Sequence, residues 1–284
     1  MQTAEPAPEP APFEKSAELP AQPTLRPEPP NIFGASVIGP LHVQMGIPCQ
    51  DACAYEALSP SSVLIAVADG LGSATRSELG ARLAVAAAVQ KVRELLETGA
   101  AQQSPLSEVV KAAFMFARQR LEEKATEEGC NLRDLACTLI VVVGAGGSVA
   151  AGHVGDGGVV AQVGAALSIV SGPGESEYAN EVTPLTSEKW IDSLRIASDV
   201  RGVKCLAVFT DGCQRAAFLK SSSGLEAFGG FFEPIFSYAR ELTDLAEGPE
   251  DIKSLLASKK LCENSEDDKT LVIAVLQGAE APSA

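Results

Sequence analysis

Seven short apolar runs constrain the fold of this chain more than any other feature. Each run is four to seven residues long, which is the length of a β-strand and too short to cross a bilayer. Turns containing glycine or aspartate follow most of the runs, so the chain must pack strands that repeatedly reverse direction. The runs occupy residues 63–68, 139–143, 149–154, 159–163, 167–170, 205–210 and 270–276.

The four runs between residues 139 and 170 predict a meander of antiparallel strands, because only short glycine-containing turns connect them. Before them, two stretches place apolar residues at i, i+4, i+7 and i+11, which predicts two helices with one apolar face each. The short connection through Thr98 and Gly99 favours an antiparallel helix pair. Strands, two helices, more strands, then helices and a last strand indicate a layered α+β protein. The helical positions are Val85, Val89, Val92 and Leu96, then Val110, Phe114, Ala117 and Leu121.

Local signals predict where both helices begin. Thr75 and Glu78 have the spacing of a capping box. Ser104 and Pro105 offer an N-cap followed by a proline at the first helical position. We therefore expect the first helix to start just after Thr75 and the second to start at Pro105.

Two segments differ in composition from the predicted strands and helices. Residues 1–30 hold nine of the eighteen prolines, interleaved with alanine and glutamate, which predicts a disordered, extended tail with too little apolar surface to fold. The folded domain is expected over residues 31–284. Within it, residues 171–202 form a polar insertion of about 30 residues, a length that favours a functional role or a local helix over a plain surface loop.

The charge balance argues against some classes of partner. The chain of 284 residues has 37 acidic and 22 basic residues, and its formal net charge is -15 at pH 7. This surplus favours neither a nucleic-acid backbone nor an anionic membrane surface as a partner. No run approaches the roughly 18 apolar residues of a transmembrane helix, and the N-terminus lacks a basic and then apolar signal. We therefore expect a cytoplasmic protein.

Cysteine and histidine are distributed as structural residues. The seven cysteines are odd in number and scattered, which is not the pattern of a disulfide framework, so reduced thiols are expected. Cys49 and Cys53 are close enough to share a metal, yet no second pair completes a zinc site, and the structural interpretation is preferred. The chain has only His42 and His153, which argues against an enzyme that needs several imidazoles.

Four aspartates lie where apolar runs end or begin: Asp69, Asp156, Asp211 and Asp267. A single Asp-Gly pair is ordinary turn chemistry, but strand ends can bring four carboxylates together at one edge of a sheet. Such a cluster needs protons or cations to offset its repulsion, and its oxygens prefer Mg²⁺, Mn²⁺ or Ca²⁺ to zinc or copper.

Six short motifs follow one another in a characteristic order. They are residues 49–51 (CQD), 67–72 (VADGLG) with 78–81 (ELGA), 137–138 (CT), 154–156 (VGD), 209–212 (FTDG) and 267–270 (DDKT). Their joint order and spacing resemble the metal-dependent Ser/Thr protein phosphatases of type 2C, the PPM family, and most of all its bacterial members. The resemblance covers residues 34–277.

This resemblance implies an α+β fold, namely a four-layer α-β-β-α sandwich with two central antiparallel sheets flanked by helix pairs. It also implies a two-metal site at one end of the sandwich. Asp69 would bridge two Mn²⁺ or Mg²⁺ ions, and the carbonyl oxygen of Gly70 would bind one of them. Asp211 and Asp267 would hold the other ion and form the catalytic set with Asp69.

The resemblance assigns two further carboxylates. Asp51 would act through metal-bound water, and Asp156 would contribute to an additional, weaker metal site. The mechanism it implies is attack on phosphorus by a hydroxide that bridges the two ions, without a covalent phosphoenzyme. Residues 171–202 resemble the flap that lies beside the metal site in this family and can select substrates.

Several positions depart from the pattern of the family. Many members have an arginine before the first acidic motif that clamps the substrate phosphate, whereas residues 45–48 contain none. His42 is the nearest group that can carry a positive charge and is the candidate substrate-binding residue, although a lone histidine is more often structural. Gln50 replaces a glutamate, and Leu71 replaces a histidine proposed as proton donor, so water must protonate the product. His153 is expected to pack or hydrogen-bond in the core.

The leading hypothesis is a metal-dependent, monomeric phosphatase that acts on phosphoserine or phosphothreonine in proteins, with a Ser/Thr kinase or its targets as partners. The absent arginine, Gln50 and Leu71 prompt an alternative, a catalytically weak phosphatase-like domain that binds a phosphoprotein or kinase as a regulator. An acidic calcium-binding module is a distant third, because the sequence has no contiguous calcium loop.

Overall fold

The computed structural model describes residues 30–59, 62–99, 104–173, 182–222 and 224–276. The predicted tail lies outside these residues up to position 29. The first strand, β1, is Asn31–Val37, and it pairs antiparallel with the last strand of the chain. Within the described residues, no helix is long and apolar enough to span a membrane. All seven cysteines are free thiols, as predicted.

Two five-stranded antiparallel sheets form the centre of the molecule. In spatial order the first sheet contains β1, β12 (Lys269–Val275), β9 (Val203–Phe209), β6 (Gly158–Val163) and β7 (Ala166–Ser171). The second contains β2 (Ala52–Ser59), β3 (Ser62–Ala68), β4 (Leu139–Ala145), β5 (Ser148–Val154) and β8 (Arg195–Arg201).

Helices cover the outer face of each sheet. Helices α2 (Ser77–Glu97) and α3 (Leu106–Glu128) pack on the second sheet, while α6 (Gly229–Glu241) and α7 (Gly248–Leu256) pack on the first. The predicted four-layer α-β-β-α sandwich is therefore confirmed. The shorter elements are α1 (Pro40–Met45), α4 (Trp190–Ser193), α5 (Gln214–Ala217), α8 (Lys259–Asn264) and the hairpin of β10 (Phe218–Ser221) and β11 (Gly224–Ala227).

Strand β3 shows why its sequence is apolar without interruption. Val63, Ile65 and Val67 point into the core between the two sheets, whereas Leu64 and Ala66 point toward the helices of the second sheet. Side chains alternate along a strand, so a strand covered on both faces must be apolar at every position. The same reasoning applies to the other central strands.

The predicted meander over residues 139–170 is wrong in its pairing, although all four strands are present. Strands β4 and β5 form a hairpin in the second sheet, and β6 and β7 form a hairpin in the first. The chain crosses between sheets at Gly155-Asp156-Gly157, where both glycines have φ of +96°. Turn composition does not distinguish a hairpin from a crossing, because glycine permits both. The crossing places Asp156 at the end of the sandwich.

The predicted helix starts are each wrong by one residue. Helix α2 begins at Ser77 after Arg76, and no side chain caps it, so the capping box at Thr75 is absent. Helix α3 begins at Leu106, with Pro105 in the N-cap position in place of Ser104.

The antiparallel helix pair is confirmed. Arg76, just before α2, forms a 3.1 Å ion pair with Glu128, the last residue of α3. The start of one helix therefore lies beside the end of the other.

The predicted polar insertion over residues 171–202 contains regular structure. Residues 174–181 lie outside the described residues, but helix α4 and strand β8 follow them. Strand β8 was not predicted, because it is a polar edge strand with only Ile196, Ala197 and Val200 as apolar residues. It pairs with β5 and is an integral part of the second sheet.

Candidate metal centre

The predicted aspartates meet at one end of the sandwich. Asp69 directly follows β3 of the second sheet, and Asp211 follows β9 of the first, after Thr210. Asp156 lies in the crossing between the sheets. One carboxylate oxygen from each of Asp69, Asp156 and Asp211 can be chosen so that all three lie within 4.8 Å of one another. The three carboxylates are close enough to share a cation.

Asp267 lies in an adjoining group. Its carboxylate, a carboxylate oxygen of Asp268 and a ring nitrogen of His42 are also mutually within 4.8 Å. Asp267 lines the same open cleft as Asp156 and Asp211, and its negative charge raises the pKa values of Asp69 and Asp211. Three of the four aspartates therefore line one cleft, and the fourth, Asp69, is grouped with two of them.

Asp51 is buried behind this cluster, with 7% of its surface exposed. Its Oδ2 accepts hydrogen bonds from the hydroxyl groups of Thr210, at 2.8 Å, and Thr270, at 2.7 Å. The backbone N–H of Thr270 donates to Oγ1 of Thr210 at 2.9 Å. The threonines of the 209–212 and 267–270 motifs therefore fix Asp51, which explains why those motifs contain more than their aspartates.

The 137–138 motif holds the backbone of Asp69. The N–H of Asp69 donates to Thr138 Oγ1 at 2.9 Å, and the N–H of Thr138 donates to the Asp69 carbonyl oxygen at 2.8 Å. Gly70 forms an isolated antiparallel bridge with Cys137, and its N–H donates to the carbonyl oxygen of Gln50 at 3.1 Å. The first acidic turn is therefore tied to two other parts of the chain.

Asp268 is a buried residue of the site that the sequence analysis missed. It is 1% exposed, and its carboxylate accepts from the N–H groups of Gly39, at 2.7 Å, and Gln50, at 2.6 Å. Nδ1 of His42 donates to the same carboxylate at 2.9 Å. Because this hydrogen bond occupies Nδ1, only Nε2 of His42 is left for the predicted contact with substrate. His42 is itself buried, with 6% of its surface exposed.

His153 and Arg195 hold the turn that carries Asp156. Nε2 of His153 donates to the carbonyl oxygen of Asp156 at 2.6 Å, and its Nδ1 accepts from the Ser171 hydroxyl at 3.0 Å. Arg195, from the unpredicted strand β8, donates to the carbonyl oxygen of Gly155. Burial and the charge of Arg195 lower the pKa of His153 to about 3. His153 is thus the neutral structural histidine that the sequence predicted.

Burial and mutual repulsion shift the acidic groups. Burial, followed by the charges of Asp69, Asp156 and Asp267, raises the pKa of Asp211 to about 9. Burial and the charges of Asp51 and Asp267 raise the pKa of Asp69 well above its usual range. Burial raises the pKa of Asp51 to about 7, although its two threonine partners lower it. Without a counter-charge, Asp211 holds its proton at neutral pH.

The residues fit hard divalent cations. Oδ1 of Asp51 and Oδ1 of Asp211 are buried and accept no hydrogen bond within the described residues. A buried carboxylate oxygen without a partner is costly, and a bound cation removes that cost. The donor atoms of the Asp69, Asp156 and Asp211 group are all carboxylate oxygens, which suits Mg²⁺ or Mn²⁺.

An open cleft of about 1100 Å³ lies in front of the cluster. Cations at its floor would attract an anionic group, so the arrangement suits a phosphate ester bound above the carboxylates. The charged residues among its described lining are Asp156, Asp211, Arg215, Lys259, Glu263, Glu266 and Asp267.

Comparison with known proteins agrees with this architecture. The sequence profile of the protein phosphatase 2C family matches residues 38–257. Serine/threonine-protein phosphatase 3 of Escherichia coli K12 is 33% identical over 248 residues, which cover 85% of this chain and 96% of that protein.

Solved structures show the same fold. The crystal structure of the Mycobacterium tuberculosis serine/threonine phosphatase PstP/Ppp aligns with a TM-score of 0.56 at 17% identity. The alignment covers 88% of this chain and 100% of the PstP/Ppp chain. The PstP catalytic domain in complex with two manganese ions gives a TM-score of 0.54 at 17% identity, covering 88% of this chain and 99% of its own.

The family profile spans more than half of the chain, and the Escherichia coli relative matches it over nearly its whole length. Together with the acidic cluster at the end of a four-layer sandwich, these matches identify a phosphoprotein phosphatase. The chain belongs to the protein phosphatase 2C family of metal-dependent phosphatases.

Proposed function

We propose that this phosphatase hydrolyses phosphoserine and phosphothreonine in protein substrates with two Mn²⁺ or Mg²⁺ ions. The observation that carries the proposal is the grouping of Asp69, Asp156 and Asp211 within 4.8 Å, beside an open cleft that Asp156 and Asp211 line. The Escherichia coli relative is named a serine/threonine-protein phosphatase, which supports the same substrate class.

The proposed ligands follow the sequence assignment. Asp69 would be shared by both ions, and the carbonyl oxygen of Gly70 would bind one of them. Asp211 and Asp267 would hold the other ion. Beyond burial, the charge of Asp51 raises the pKa of Asp69, and the charge of Asp69 raises that of Asp211, so Asp69 lies near carboxylates of both sheets, which supports its shared role.

Two carboxylates have secondary roles in the proposal. Asp51 acts through water, because its Oδ2 is held by Thr210 and Thr270 while Oδ1 has no partner within the described residues. Asp156 serves an additional, weaker ion. The hydrogen bonds of His153 and Arg195 to its turn support a fixed position for that carboxylate.

When bound, the ions acidify a shared water molecule, which is the proposed nucleophile, and screen the phosphate oxygens. Water adds to phosphorus, the bond to the serine or threonine oxygen breaks, and that oxygen takes a proton from solvent. Leu71 carries no proton to donate, so solvent supplies it. The products are inorganic phosphate and the free hydroxyl side chain.

The proposed partners are phosphorylated proteins, including targets of Ser/Thr kinases, and the proposed acting form is a monomer. His42 is the candidate for a substrate contact through Nε2, because Asp268 occupies Nδ1. The cytoplasm is the proposed location.

Phosphate release from a phosphothreonine peptide, with Mn²⁺ or with chelator, tests the proposal. We expect release only with the metal. Asp69→Asn should reduce kcat/KM by more than about 100-fold, since even outer-shell changes cost 10- to 100-fold at metal sites. Asp199→Asn, at an exposed position on β8, is the matched control and should leave turnover unchanged. Equal release with metal and with chelator, or full activity of Asp69→Asn, would contradict the proposal.

A further inference from the structure

The cleft above the acidic cluster contains two basic residues among its described lining, Arg215 and Lys259. They stand out because five acidic residues line the same cleft and the chain carries a net charge of -15. A phosphate dianion that enters the cleft meets this acidic surface before it reaches the floor. A fixed positive charge near the floor would oppose that repulsion.

Arg215 is placed by the same short segment that places Asp211. Residues 211–213 form a 3-10 turn that continues directly into α5, so Arg215 lies four residues after Asp211 on a helical path. Arg215 and Asp211 both line the cleft.

Arg215 differs from most arginines of this protein in its partners. Arg76, Arg93 and Arg118 each form an ion pair with a glutamate, at 3.1 Å, 2.7 Å and 2.7 Å. In the part of the chain that the structure describes, Arg215 forms no ion pair. Its recorded contact is a 3.3 Å hydrogen bond from Nη1 to the carbonyl oxygen of Asn264. The other guanidinium donors are available to a ligand in the cleft.

The contact with Asn264 also orients the side chain. Asn264 ends α8 and begins the segment that leads to Asp267. The hydrogen bond therefore links the segment after Asp211, which carries Arg215, to the segment before Asp267. Arg215, Asp211 and Asp267 all line the same cleft. A planar group with several N–H donors in this position suits two oxygens of a phosphate.

We propose that Arg215 binds the substrate phosphate and supplies the positive charge that residues 45–48 lack. This inference rests on the proposed function, because it assumes that a phosphate ester occupies the cleft. Lys259 is a poorer candidate, since its side chain is 90% exposed and lies 3.7 Å from Glu263. His42 carries a charge only when protonated, whereas an arginine is always charged.

Three variants separate a guanidinium contact from diffuse charge. Arg215→Ala removes the guanidinium group. Arg215→Lys keeps the positive charge but not the planar pair of N–H donors. Lys259→Ala removes the other basic side chain of the cleft. Each is compared with the parent in the Mn²⁺-loaded full chain. The measurements are KM and kcat for a phosphothreonine peptide, the inhibition constant and calorimetric affinity of inorganic phosphate, and the Mn²⁺ affinity.

We expect Arg215→Ala to weaken phosphate binding and to raise KM by roughly tenfold to 100-fold, the usual effect of losing a charge-assisted hydrogen bond. Arg215→Lys should recover part of the loss. Lys259→Ala should change both values by less than about threefold, because Glu263 already pairs with that charge. Mn²⁺ affinity and melting temperature should match the parent in all three variants.

Unchanged phosphate affinity in Arg215→Ala would overturn the inference. An equal loss of phosphate affinity in Lys259→Ala would also overturn it, because the effect would then come from the total charge of the cleft and not from the guanidinium. A parent enzyme without turnover would instead refute the proposed function. In that case the phosphate titration alone decides, since weaker binding by Arg215→Ala supports the inference and equal binding overturns it.

Discussion

At the scale of single residues, the structure separates Asp211 from Asp156. Asp211 has a buried carboxylate oxygen with no partner within the described residues and a pKa raised to about 9, so a cation stabilises it. Asp156 sits in a turn that His153 and Arg195 already hold. We expect Asp211→Ala to weaken tight Mn²⁺ binding by more than about 100-fold. Asp156→Ala should keep the tight sites and slow turnover.

Calorimetric Mn²⁺ titration with steady-state kinetics on both variants measures this difference. Asp199→Ala, which removes an exposed carboxylate from β8, controls for the loss of one negative charge. Loss of the tight sites in Asp156→Ala, or their retention in Asp211→Ala, would show that the roles are assigned to the wrong residues. The short distances among Asp69, Asp156 and Asp211 make this test necessary, because proximity alone permits either assignment.

The four aspartates of the acidic cluster could be found from sequence, because each lies beside an apolar run. Asp268 and Arg195 could not be found that way. Asp268 holds the backbone of residues 39 and 50, and Arg195 holds residue 155, so their roles depend on contacts between distant parts of the chain. A sequence pattern reports local period and turn chemistry, whereas these hydrogen bonds exist only after the sheets have formed.

At the scale of elements, the strands could be predicted but their partners could not. Apolar runs located most of the central strands, including β3, β9 and β12, to within two residues. The two hairpins of the predicted meander belong to different sheets. The sequence does not show this division, because strands of both sheets are equally apolar. Strand β8 escaped prediction since an edge strand exposed to solvent needs no continuous apolar run.

Close packing between helix α2 and the turn at residues 132–135 yields an element-scale prediction. A Cβ atom at Gly80 would lie 2.1 Å from the carbonyl oxygen of Leu135, which is backbone and cannot rotate away. We expect Gly80→Ala to lower the free energy of unfolding by about 1–3 kcal/mol, despite the better helix propensity of alanine. Urea unfolding in chelator measures the change.

Gly72→Ala is the matched control, because a Cβ atom there meets only Gln50 Oε1 at 3.9 Å, which is an ordinary contact. It should shift the unfolding free energy by less than about 0.5 kcal/mol. A Gly80→Ala variant as stable as the parent would show that the helix and the turn can move apart. The turn leads to Cys137-Thr138, so such movement would also reach the backbone of Asp69.

At the scale of the whole molecule, the sandwich concentrates negative charge where its two sheets end. The pKa values of Asp69 and Asp211 are raised well above the value of about 3.9 for an unfolded aspartate, and that of Asp51 is raised to about 7. Between about pH 3.9 and these raised pKa values, the folded, metal-free protein binds more protons than the unfolded chain. Its stability therefore falls as pH rises, by about 1.4 kcal/mol per pH unit for each proton difference.

We expect the melting temperature in chelator to fall steadily from pH 6.5 to pH 9. His153 does not oppose this trend. Its pKa is lowered to about 3, and a lowered histidine pKa reduces stability only below about pH 6.5. In that range the unfolded residue takes a proton that the folded residue does not. Saturating Mn²⁺ should reverse the slope, since bound cations replace protons on the same oxygens. Thermal melts at several pH values, with chelator and with Mn²⁺, give both slopes.

Asp211→Asn provides the control for this prediction. An amide keeps the shape of the side chain and removes the group whose pKa is raised to about 9, so the metal-free slope above pH 7 should become shallower. The variant should also be more stable than the parent at pH 9 in chelator, because one repelling charge is absent. A metal-free parent whose melting temperature rises from pH 6.5 to pH 9 would mean that the carboxylates ionise without cost. The acidic cluster would then create no demand for a cation.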